Sequence, residues 1–150
     1  MWQIAVKPGK PLAFGEIDRV GSADETNANE DAGTANDAAY FLGLPGNPVS
    51  SFVTFLLFVR PFILRLQGVE KVTPRLTIMR ANFNWNKPDR RNEFLRARID
   101  SEGGLELFPN QGSGVLTSTV WGDGLIDNPA GHAIAPGDLV RFIPFSELLN

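Results

Sequence analysis

The chain of 150 residues contains no cysteine, which excludes a disulfide framework and any thiolate metal site. It has a single histidine, His132, following Gly131 in a turn-like stretch, so a Ser/His/Asp triad or a histidine metal centre finds little support. There is no GxGxxG, no P-loop and no internal repeat. No long uncharged hydrophobic run is present either: the stretch between Asn47 and Arg60 falls well short of the roughly 20 residues a bilayer requires, and Arg60-Pro61 interrupts it. Met1 to Lys7 lacks a charged region followed by a long apolar stretch and a small-residue cleavage site, so no signal peptide is expected. A strand beginning at once suggests that a preceding part of the chain has been cut away. Without cysteine, a reducing compartment fits, and the expected localisation is cytoplasmic.

Charge is scarce and uneven. The net charge of -3 is concentrated in residues 16–38, where Glu16, Asp18, Asp24, Glu25, Glu30, Asp31 and Asp37 face Arg19 alone. The remainder is mildly basic, which suits a small anionic substrate. Duplex nucleic acid would call for a stronger, clustered excess of Lys and Arg. With 43% hydrophobic residues the chain can bury a core as one domain or two small ones.

The stretch around which the rest is organised runs from Tyr40 to Gln67. Apolar Tyr40 to Leu44 reads as a strand, Pro45-Gly46-Asn47-Pro48 as a tight turn, and Val49 onward as a helix. Asn47 suits an N-cap and Pro48 the first helical position, while Ser50 and Ser51 add hydroxyls. A helix N-terminus beyond the carboxyl end of a strand is where open α/β sheets bind anions, although a stable turn explains these residues equally well. The helix is apolar on nearly every face, which predicts burial all round or an interface. Pro61 should kink it or begin a second helix, and Gly68 should stop it.

Upstream, Lys7-Pro8-Gly9-Lys10-Pro11 places two lysines on a loop stiffened by proline, which could clamp an oxyanion or be a solvated surface turn. Residues 16–38 have no apolar periodicity and read as a flexible acidic insertion between strands. Downstream of about residue 73 the character changes. Strand-like runs at Arg75 to Ala81, Glu93 to Ile99, Leu105 to Phe108, Val115 to Val120 and Leu139 to Ile143, divided by turn signals, predict a small antiparallel barrel or sandwich. In Glu93 to Ile99 the alternation puts Leu95, Ala97 and Ile99 on the core face and Phe94, Arg96 and Arg98 outward. Gln111-Gly112-Ser113-Gly114 offers backbone N–H groups and a hydroxyl. Asp123 and Asp127 beside a glycine turn could bind a cation, but turn-forming Asp explains them as well.

KPGKPLAFG (7–15), FLGLPGNPVSSFVTF (41–55), FLRARI (94–99), NQGSG (110–114) and APGDLVRFIPF (135–145) together resemble the C-terminal part of the MoeA family, the molybdopterin molybdenumtransferases, which include the E domain of gephyrin. The resemblance implies an α/β plus all-β fold: residues 1–73 as the C-terminal part of a three-layer molybdopterin-binding α/β domain, and residues 74–150 as a small antiparallel β-barrel. It implies insertion of molybdenum from molybdate into adenylylated molybdopterin with release of AMP, magnesium as a divalent cation whose ligands lie mostly outside this chain, and a homodimer. By motif position Lys7, Lys10, Ser50, Arg96 and Ser113 match substrate and molybdate residues, and Pro45, Gly46, Asn47 and Pro48 shape the site. No metal ligand, nucleophile, nucleic acid or membrane partner is implied here. Some relatives carry lysine where Gln3 stands, so position 3 is left out. The expectation is that this segment is inactive alone. The alternative is an interaction scaffold of the gephyrin type.

Overall fold

The computed structural model describes residues 5–9, 12–18 and 38–149. Its centre is β5 (Asn92–Ile99), the longest strand, which pairs antiparallel with β7 (Gly124–Asn128) along one edge. β7 pairs with β8 (Leu139–Pro144), and β8 with β4 (Thr77–Arg80), both antiparallel. The other edge of β5 is shared. β1 (Val6–Lys7) lies parallel to its first two residues, and β6 (Leu105–Leu107) antiparallel to its last three. A bridge between Ala81 and Leu105 brings the β4 side of the sheet back to β6.

Both faces of the central part of this sheet are covered, whereas Ile78 on β4 and Leu139 at the start of β8 are exposed. Leu95, Ala97, Ile126 and Phe142 pack with Leu105 and Ile134 on one side, whereas Leu125 and Ile143 pack with Phe145 and Leu148 on the other. Neighbouring residues on β7 and β8 therefore enter different cores, as side-chain alternation requires. The second core is completed by Val49, Val53 and Leu56, each no more than 1% exposed. Burying a side chain of this kind contributes about 1.5–3 kcal/mol, so these three residues fasten the helix to the sheet.

That helix runs without interruption from Pro48 to Leu66, as α1 (Pro48–Thr54), a π-helical segment (Phe55–Val59) and α2 (Arg60–Leu66). Pro61 neither breaks it nor starts a new helix. A π turn stands immediately before it, with the Arg60 N–H bonded to the Phe55 carbonyl, and such turns accommodate a local irregularity in the hydrogen-bond ladder. Gly68, at φ +86, ends the helix as expected. By length and composition the helix would suffice to cross a membrane, but its inner face is core, and Arg60 and Arg65 lie along it. Burial all round is not observed: Phe55, Ile63 and Leu66 are exposed.

β2 (Ala13–Asp18) and β3 (Ala38–Gly43) form a separate antiparallel pair. Phe14 and Tyr40 stack on each other, and both meet the edge of Phe62, at 5.5 and 5.2 Å, which attaches the pair to α2. Glu16 to Asp18 and Ala38 thus belong to paired strands, not to the acidic insertion expected over 16–38; residues 19–37 lie outside the described residues.

Two further expectations are corrected. Val115 to Val120 is not a strand; α3 (Thr117–Trp121) occupies it, because the Ser118 and Thr119 hydroxyls bond back to the Val115 and Leu116 carbonyls and close a helical turn. The missing strand is β7. Buried on both faces, it reads as a short apolar run without alternation. α4 (Phe145–Leu149) closes the described chain.

Candidate functional site

Three segments distant in sequence meet at the partly vacant edge of β5. The first is the end of β1 with Pro8 and Gly9, where Gly9 fits against the helix so closely that an added Cβ would stand 3.2 Å from Thr54 Oγ1. The second is the helix start. Pro45 is buried, Gly46, Asn47 and Pro48 are exposed, and Asn47 has the extended backbone of an N-cap but no side-chain cap bond. Instead the Ser51 hydroxyl donates to the Pro45 carbonyl and pins the turn. The third is the loop 108–114, joined to the helix start by the Val49 N–H, which donates to the Ser113 carbonyl at 3.1 Å. That N–H is therefore spent on holding the loop and is not free for an anion.

Between these segments lies a cavity of about 360 Å³, lined by Lys7, Pro8, Gly9, Asn47, Ser50, Arg91, Gln111, Gly112 and Ser113. Its described lining contains two cations, two hydroxyls and two amides but no carboxylate. A larger groove of about 700 Å³ runs past Arg60, Lys71, Arg75, Glu70 and Glu147. That groove mixes both signs of charge and gathers none of the sequence-predicted residues.

Lys7, Ser50 and Ser113 thus come together, while Lys10 lies outside the described residues. Arg96 is placed otherwise than expected. It does not point outward into solvent: it is 1% exposed, beneath the loop, because 108–118 crosses over the face of β5 that alternation had left open. Its Nε donates to Ser118 Oγ (3.1 Å) and its Nη2 to the Asn110 and Gly112 carbonyls (3.3 and 3.1 Å). Burial without an acidic partner among the described residues pushes the guanidinium down to about 10, still charged at neutral pH. It braces the loop from behind and keeps one positive charge under the cavity floor. Arg98, by contrast, is exposed as expected and lies 4.4 Å over the Trp121 ring. Ile99, expected in the core, is the last residue of β5 and is 45% exposed.

Two residues escaped the sequence reading. Arg91 lines the cavity, its guanidinium fixed by Asp89 through Nε–Oδ1 (2.9 Å) and Nη2–Oδ2 (3.0 Å). The same bonds hold the Asp89 carboxyl well below the usual carboxylate range and raise Arg91. Glu93 is fully buried, accepting from Trp85 Nε1 at 2.8 Å and pairing with Lys7 Nζ at 3.3 Å. A glutamate on the same alternation face as Leu95 and Ala97 was the available signal, since a buried carboxylate needs a partner. Asp127, weighed as a cation ligand, sits on β7 bonded to Asn92 Nδ2 (2.7 Å) and Arg141 (3.1 Å). Among the described residues no group of three or more His, Cys, Asp or Glu could hold a metal ion.

Fold and cavity define a mainly β unit built against a helix and a strand pair, with a cationic pocket at the junction. Residues 79–145 match the family described as MoeA C-terminal region (domain IV). The chain is 34% identical to the molybdopterin molybdenumtransferase of Haemophilus influenzae, over 99% of this chain and 34% of that protein. It is 36% identical to the molybdenum cofactor synthesis protein cinnamon of Drosophila melanogaster, over 85% of this chain and 19% of that protein. The crystal structure of the molybdopterin biosynthesis MoeA protein from Pyrococcus horikoshii superposes with a TM-score of 0.67 over 93% of this chain and 31% of that one, at 19% identity, sharing the fold. The chain belongs to the MoeA family. It spans about a third of the length of the Haemophilus relative.

Proposed function

We propose that this segment supplies part of the oxyanion site of a molybdopterin molybdenumtransferase, which inserts molybdenum from molybdate into adenylylated molybdopterin and releases AMP. The observation that carries the reading is the convergence of Lys7, Arg91, Ser50 and Ser113 on one cavity whose described lining has no carboxylate. Molybdate is a dianion and the pterin substrate carries phosphates, so fixed cations and hydroxyl donors are needed to hold them close together. Lys7 and Arg91 bind and orient from the rim, Ser50 and Ser113 donate hydrogen bonds, and buried Arg96 contributes its charge from beneath the loop. None of these acts as a nucleophile. Their work is to position molybdate beside the dithiolene sulfurs and to offset negative charge while the bond to AMP is broken. In this reading the six-stranded sheet is the family's small barrel, a view supported by the Ala81–Leu105 bridge. The helix and strand pair are the end of its α/β domain, and the segment alone does not turn over.

The test is a chimera in which this segment replaces the corresponding C-terminal part of the Haemophilus influenzae relative, assayed for molybdate-dependent AMP release. The chimera is expected to turn over, and Lys7→Ala or Arg91→Ala to slow it by about 10². Undiminished turnover in both variants overturns the site.

A further inference from the structure

We propose that Asp89 is a positioning residue that holds Lys7 and Arg91 side by side for one oxyanion; this rests on the reading of the cavity given above. Lys7 and Arg91 come from segments far apart in the sequence and carry the same charge. Placed together on a cavity wall they repel each other. Asp89 touches both: Arg91 through two side-chain bonds of 2.9 and 3.0 Å and a backbone N–H bond of 3.0 Å, and Lys7 Nζ at 3.5 Å. Glu93 reaches Lys7 but forms no such pair with Arg91. Asp89 does not itself line the cavity. It sits behind the two cations, offsetting their repulsion without presenting its own charge to the ligand.

The guanidinium geometry supports the same assignment. Of the five N–H groups of an arginine, Asp89 takes one on Nε and one on Nη2. The Nη1 end makes no bond to a described residue, and its side chain lines the cavity. Long cationic side chains lose rotamer freedom when they grip a ligand, so a carboxylate that orders them beforehand raises affinity. Removing Asp89 has two opposed effects. It takes a negative charge away from an anion site, which tightens binding, and it frees two side chains, which loosens it. Positioning requires that the second prevail, so the sign of the change decides.

The experiment is calorimetric titration of the full chain with sodium molybdate and, separately, with sodium phosphate, at fixed moderate salt. It compares wild type, Asp89→Asn, Arg91→Ala, the double variant and Lys7→Ala, with thermal unfolding as a check on the fold of each. Asp89→Asn is expected to bind about tenfold more weakly, and about twofold more weakly when Arg91 is already alanine, since its main bonds are to Arg91. A second readout needs no anion: the Arg91 Nε–H exchanges slowly with water in wild type and rapidly in Asp89→Asn. Unchanged or tighter binding by Asp89→Asn, or an equal penalty in both backgrounds, overturns the role of Asp89 even where Lys7→Ala and Arg91→Ala weaken binding. Wild type that takes up neither molybdate nor phosphate overturns the cavity reading, and the role of Asp89 with it.

Discussion

The side-chain amide of Gln111 pairs with both backbone groups of Arg96: Arg96 N–H donates to Gln111 Oε1, and Gln111 Nε2 donates to the Arg96 carbonyl, each at 2.9 Å. One edge of β5 is occupied by β1 at Asn92 and Glu93 and by β6 from Ala97 to Ile99. Gln111 fills the interval as a strand would. The loop carrying Ser113 is thereby fixed to the sheet, and the cavity forms where the sheet is incomplete.

Replacing Gln111 by alanine leaves the Arg96 N–H of β5 without its partner and takes a donor from the Phe108 carbonyl, while the Arg96 carbonyl keeps the Phe108 N–H at 3.1 Å. Unsatisfied groups of this kind cost about 1–3 kcal/mol each, moderated here by water reaching a half-buried loop. A loss of about 2–3 kcal/mol is expected in urea unfolding, with weaker molybdate binding. A loss below about 0.5 kcal/mol, the level of an ordinary surface change, would mean that the loop holds itself.

Gly124 begins β7 where the sheet leaves no room for a side chain. A Cβ there would collide with the Ile143 carbonyl oxygen and stand 2.6 Å from the Phe142 ring. Backbone and a core aromatic cannot both yield, so Gly124→Ala is expected to cost about 3 kcal/mol or more. Gly46, with nothing within 4 Å of its Cβ position, is the matched control: its alanine variant should unfold within about 0.5 kcal/mol of wild type. Equal midpoints for the two would refute the packing described for β7.

The strand pair β2–β3 is held by few contacts, and an isolated two-stranded pair is only marginally stable in water. Phe62 provides the edge against which Phe14 and Tyr40 rest. Phe62→Ala is expected to speed amide hydrogen exchange in Phe14 to Ile17 and Ala39 to Gly43 while β5 and β7 stay protected. A uniform rise across all four strands would instead mean that the pair and the sheet unfold as one unit.

Much of this architecture was legible because the local signals agreed with one another. Pro48 after Asn47 marked the helix start, Gly68 its end, and Leu105 and Leu139 stood in strands bounded by glycine turns. Periodicity failed where a layer was covered on both sides. β7 gave no alternation because Leu125 and Ile126 serve different cores, and Arg96 looked solvent-facing because the loop that covers it comes later in the chain. Lys7, Ser50 and Ser113 could be nominated from their motifs. Arg91 could not, since its place in the cavity depends on a bond to Asp89 that spacing alone does not reveal.

That bond also gives the chain a pH dependence whose sign follows from the direction of the shift. The Asp89 carboxyl is held below its ordinary value, chiefly by the side-chain bond to Arg91, so in the folded state it stays ionised where the unfolded chain takes up a proton. Its contribution is present in full above the unfolded carboxyl value of about 3.9 and is lost as pH falls from there through the lowered folded value. Below pH about 4 the unfolded state binds more protons, and wild-type stability must decline. Other carboxylates decline in parallel: Asp100, lowered first by its bond from Asn82, is one. The difference between wild type and Asp89→Asn isolates the residue, because the amide does not titrate. Urea unfolding at pH 7, 5, 4 and 3 should show a gap between the two proteins that is constant from 7 to 5 and narrows below about 4. A gap that stays constant down to pH 3 would mean that Asp89 draws no stability from Arg91.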